Sequence, residues 1–68
     1  MSIKDLPRSE IEYLINEWIL SQRDRKIMYL RLIEGMTIES ISEAVDMSPR
    51  QVHRIVKKLS AKLQEKGF

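Results

Sequence analysis

The sequence predicts an all-α domain of four helices, the last two forming a helix-turn-helix. Three observations carry this. Apolar residues recur at spacings of three and four in four separate stretches. The two Pro and two Gly fall at the ends of those stretches. Thr37 to Lys66 reads as a short helix, a tight turn and a long basic helix. The expected helices are 7–20, 22–34, 38–45 and 49–66, in one domain over residues 1–68 with residues 1–5 as a flexible tail.

Helix 1 opens at Asp5-Leu6-Pro7, and Ser9 with Glu12 offers a second, capping-box start. Ile11, Leu14, Ile15, Trp18 and Ile19 form its apolar face, with Glu10, Glu12, Asn16 and Glu17 turned away. Tyr13 and Leu20 fall on the wrong side and suggest a contact surface. Helix 2 has a cap-like start at Ser21 and ends against Gly35, the residue expected just past a last turn. Ile27, Met28, Tyr29, Leu30, Leu32 and Ile33 occupy most directions around it, leaving a polar strip at Asp24, Arg31 and Glu34. A short helix so nearly apolar all round is expected at the centre of the domain. Met28 and Met47 read as gap fillers.

Helix 3 starts from Thr37 as N-cap and carries Ile38, Ile41 and Val45 on one face. Asp46-Met47 is the break, because Asp tolerates the left-handed backbone such a turn needs. Ser48 then caps helix 4, Pro49 suits its first position, and Gln51 can close a capping box onto Ser48. Val52, Ile55, Val56, Leu59 and Leu63 give helix 4 a clean apolar stripe. Eighteen residues would run about 27 Å, longer than reading a groove requires. Its far end, Leu59 to Leu63, must therefore pack on helix 1 or on another subunit.

Composition excludes several classes. A chain of 68 residues buries only ~60% of its unfolded surface, so its stability should be small. No cysteine is present, which removes disulfides and Cys-based zinc sites. No apolar run approaches the ~18 residues of a membrane span, and no signal-peptide pattern opens the chain. A cytoplasmic protein without membrane contact is expected. His53 is the only histidine and has no partners for a metal site or a catalytic relay. Nothing resembles a phosphate loop or a nucleophile beside a base, so no enzyme, cofactor, metal or small-molecule substrate is expected.

The net charge of +2 is unevenly divided. Residues 1–46 hold six Lys/Arg against nine Asp/Glu, and residues 47–68 hold six against one. The basic charge thus sits on helix 4, as a double-stranded DNA partner requires. With the apolar stripe facing the core, Arg50, Arg54 and Lys57 point most directly away, flanked by Gln51, Lys58 and His53. The first turns of such a helix enter the major groove. Arg50, Gln51 and Arg54 are the candidate base readers, Arg pairing with guanine and Gln with adenine. Thr37, Ser48, His53, Lys57, Lys58 and Lys62 are the candidate phosphate contacts. Three readers specify only a few base pairs, so selective binding needs a second copy or a tether to polymerase, and a two-fold homodimer with half-sites about 34 Å apart is expected. Its interface would use Leu59, Leu63 and Phe68, or else Tyr13 and Leu20.

The run Leu30-Arg31-Leu32-Ile33-Glu34-Gly35, followed by Thr37, Ile41, Ser48 and Val52, resembles region 4 of the sigma-70 family. Ser48-Pro49 and Lys62-Leu63 are equally similar to the LuxR-type response-regulator DNA-binding domain, a structural cousin. The likeness covers roughly residues 6 to 64. Asp46 departs from it, standing where both families usually have Gly, and Ser42 stands where a small residue, often Ala, packs between helices. The resemblance implies a DNA-binding transcription regulator with a possible site for RNA polymerase contact. It also allows Arg31 to reach a phosphate, though an ion pair with Glu34 or another acid is the expected role. The chain has no room for the sigma segments that melt DNA, so a stand-alone regulator, of the kind phage or mobile-element genes encode, is expected. Two other readings stand beside it: a polymerase- or sigma-binding adaptor that keeps the fold, and the DNA-recognition part of a phage packaging or replication protein.

Overall fold

The computed structural model describes residues 5–67. Residues 1–4 of the expected tail, and Phe68 of the expected dimer surface, lie outside them. The order is α1 (Arg8–Trp18), α2 (Gln22–Leu32), α3 (Ile38–Val45) and α4 (Pro49–Gly67). No strand occurs among the described residues, and no helix there is long and apolar enough to cross a membrane.

Helix α1 starts and stops inside the predicted range. Pro7 is its N-cap and has no side-chain cap bond, so the Ser9–Glu12 capping box does not form. Glu12 instead pairs with Arg8 at 3.2 Å. The helix ends at Trp18 because Ile19 is extended, with φ −115°. Arg25 then closes that end: its Nη2 donates to Asn16 O at 2.8 Å and its Nε to Ile19 O. These are carbonyls that a helix end leaves without internal partners. Ile11, Leu14, Ile15 and Ile19 are buried as expected, but Trp18 is 37% exposed. Its indole lies at the helix end, with the Lys66 amine 4.9 Å from the ring centre.

Helix α2 packs on α1, α3 and α4, and it shares the centre with α4, which also packs on the other three. Only Ile27 and Met28 are fully buried, while Tyr29, Leu30, Leu32 and Ile33 are half-buried. Ser21 Oγ accepts from Asp24 N–H, so the predicted cap is present. The helix stops two residues short of expectation. Glu34 N–H reaches back to Tyr29 O and Met36 N–H to Leu30 O, while Gly35 takes φ 70°. Arg31 is half-buried, and its Nη1 donates to Met36 O at 2.8 Å. It therefore holds the turn between α2 and α3 rather than pairing with Glu34.

Two apolar clusters meet along α4. Ile27, Ile41 and Val52 join α2, α3 and the start of α4. Ile11, Leu14, Ile15, Ile19, Met28, Leu59 and Leu63 join α1, α2 and the far half of α4, and half-buried Ile55 and Val56 touch both clusters. Leu63 is 0% exposed and Leu59 8%. The overlong helix thus has its answer: its tail packs on α1. This corrects the expectation that Leu59 and Leu63 form a dimer interface, since side chains enclosed by their own domain offer nothing to a second copy. Tyr13 and Leu20 do remain outside, at 63% and 85% exposed.

Candidate nucleic-acid interface

The unit that presents α4 is built by local sequence. Thr37 Oγ1 accepts from Ser40 N–H at 3.1 Å and starts α3. Asp46 ends it in the left-handed region, with φ 55° and ψ 49°. Ser42 is buried between the helices, and its hydroxyl donates to Glu39 O at 2.6 Å, which satisfies it without a partner from outside. Ser48 and Gln51 then form the reciprocal box: Gln51 N–H donates to Ser48 Oγ at 3.2 Å, and Ser48 N–H to Gln51 Oε1 at 3.3 Å.

With Val52, Leu59 and Leu63 buried, the opposite side of α4 faces solvent. Arg50, Arg54 and Lys57 lie roughly 140–200° round the helix from Val52. Gln51, Lys58 and Lys62 are exposed on one flank and His53 on the other. Among the described residues, Arg50, Arg54, Lys57, Lys58 and Lys62 have no hydrogen bond or ion pair within the protein. The arginines of the first two helices are different. Arg8 donates to Glu12 and Tyr29, which together raise its pKa above the ordinary value. Arg23 pairs with Asp24, Arg25 holds the end of α1, and Arg31 holds Met36. Lys26 is the exposed exception in α2.

Three candidate contacts are already engaged, Ser48 through the box just described. Bidentate pairing of Gln51 with adenine would call on Oε1, the atom that accepts from Ser48 N–H. The Thr37 hydroxyl accepts from Ser40 N–H and donates to Ser40 Oγ at 3.0 Å. A phosphate at that helix start would meet backbone amides before it met the hydroxyl. Arg25 and the Arg8–Tyr29 contact escaped the sequence reading, because nothing in local spacing says which distant group a long side chain will reach.

A groove between α1 and α2 is lined by Glu12, Ile15, Asn16, Arg25, Lys26 and Tyr29, and holds about 360 Å³. Among the described residues no group of three or more His, Cys, Asp or Glu could hold a metal ion.

Four helices with a capped α3–turn–α4 unit define a helix-turn-helix domain. Residues 19–65, well over half of the chain, match the family described as Sigma-70, region 4, and the chain belongs to that family of DNA-binding domains. Helix α1 lies outside the matched stretch. Comparison with curated proteins and with solved structures found no match.

Proposed function

We propose that the chain is a sequence-specific regulator of transcription that binds double-stranded DNA with the first turns of α4 in the major groove. The observation that carries this reading is the division of its cations. The arginines of α1 and α2 have partners inside the protein, whereas five cations of α4 stand exposed without any. Unpaired cations in a row on one helix face suit phosphates, whose counterions they release. Arg50 and Arg54 are the proposed base readers, with Gln51 beside them at the helix start. Lys57, Lys58, Lys62, Ser48 and His53 would meet the backbone, together with the amides that follow Thr37.

A second reading rests on a separate observation. Tyr13 on α1 and Leu20 just past its end are exposed, near Glu10 and Glu17, an acidic and apolar surface unsuited to DNA. It fits contact with RNA polymerase or another protein, either in addition to DNA or in its place. With Leu59 and Leu63 in the core, this surface is also the one proposed for a second copy. An electrophoretic shift with random duplex at moderate salt tests the two. Retardation that weakens as salt rises supports the DNA reading, and none at high protein concentration leaves the protein-contact reading.

A further inference from the structure

We infer that Gln51 reads a base through its amide NH2 alone, and so selects guanine, or failing that thymine, rather than adenine. This rests on the DNA-binding reading above. A backbone N–H can only donate, so the Gln51 atom that faces Ser48 N–H must be the oxygen. The side chain is thereby folded toward the start of α4, and its NH2 group takes the other corner of the amide plane. Among the described residues no protein group accepts from that NH2. Adenine would need both ends of the amide, the oxygen for N6 and the nitrogen for N7. It would set the base in competition with the helix's own first turn, whose amides have no other acceptor inside the helix. Guanine shows two acceptors, O6 and N7, and thymine one, O4; adenine also shows N7, but beside an N6 amine that sets donor against donor. An NH2 group can serve either while the box stays closed.

The neighbours point the same way. Arg50, Arg54, Lys57 and Lys58, exposed over the first turns of α4, are donors with no acceptor. Only His53 and Gln51 among the exposed long side chains of that stretch carry an acceptor, and the Gln51 oxygen is in use. The reading surface therefore offers hydrogens almost throughout. It suits the acceptor-rich edge of guanine and has little to offer the amines of adenine and cytosine.

Two variants separate cap from reader. Gln51→Glu keeps an oxygen for Ser48 N–H and replaces the NH2 with a second acceptor; Gln51→Met removes both ends at similar volume. The assay is selection from a random duplex pool, followed by binding titrations on single-base variants of the selected site. The expected result is that the wild type selects guanine or thymine at one position, and that Gln51→Met relaxes this position by ~10-fold. Gln51→Glu should turn the preference there toward cytosine, whose N4 donates to a carboxylate, without a fall in melting temperature. Adenine at the position that Gln51→Met relaxes would overturn the inference. So would a set of variants that change no base preference, which would leave Gln51 a cap alone. A wild-type protein that enriches nothing from the pool would instead defeat the DNA-binding reading, and this inference with it.

Discussion

Ser48 decides where α4 begins, and it does so through two bonds that span only three residues. Ser48→Ala removes the acceptor of Gln51 N–H and should lower stability by ~1 kcal/mol, measured by chemical denaturation. An unchanged midpoint would mean that the box does not hold α4. Gly35 offers a second test. It sits at φ 70° with open space where a Cβ would go, so Gly35→Ala meets no atom and costs backbone strain alone, ~1 kcal/mol by the same assay. At this scale the sequence was most legible where the chemistry is local: Ser21, Thr37 and Ser48 as caps, and Asp46 as the left-handed turn. It was least legible for Arg25 and Arg31. Their targets, the carbonyls of Asn16, Ile19 and Met36, are set by how helix ends and turns meet, which no spacing of side chains encodes.

Helix α4 serves two cores at once, and this governs what its substitutions do. Leu63 is enclosed by α1 and α2, so Leu63→Ala should cost ~2–5 kcal/mol, a large part of the stability of so small a domain. Thermal denaturation checks this; a loss below 1 kcal/mol would mean that the far half of α4 is not docked. On the other face the effects should appear in binding. Arg54→Ala is expected to cost ~1–3 kcal/mol and to relax one base pair, whereas Lys62→Ala should weaken all sequences alike and reduce the salt slope by about one unit. Equal losses on every sequence for both variants would show that Arg54 meets phosphate. The stripe of α4 and the face of α3 could be read from periodicity because both helices have one clean apolar side. Trp18 was placed on the apolar face of α1 but is 37% exposed, because it is the last residue of that helix, where neighbours cover the face less completely. Helix α2 was legible as central, but its half-buried Tyr29, Leu30, Leu32 and Ile33 show that a wheel does not say how completely neighbours cover each side.

The molecule measures 30 × 20 × 17 Å, and α4, about 28 Å at 1.5 Å per residue, is nearly as long as its longest dimension. Residues 47–68 hold six Lys/Arg against one Asp/Glu, while residues 1–46 hold nine acids against six bases, so one side suits phosphates and α1 suits a protein. A dimer through Leu59 and Leu63 was a fair inference from an unexplained apolar tail. It failed because sequence alone does not tell packing within a chain from packing between chains. If a second copy does join on DNA, its contact should map to Tyr13 and Leu20, and Leu20→Glu should abolish any two-chain species seen by sedimentation. Persistence of that species would place the contact elsewhere. The central claim is that the exposed cations of α4 bind duplex DNA, and salt dependence tests it most directly. Each phosphate contact contributes a slope of about −0.9 in log affinity against log salt, so the three lysines assigned to phosphate predict a slope of about −3 for the wild type. Replacing Lys57, Lys58 and Lys62 together by Ala should flatten it by about two to three units. A wild-type slope near zero, or one unchanged in the triple variant, would contradict the account.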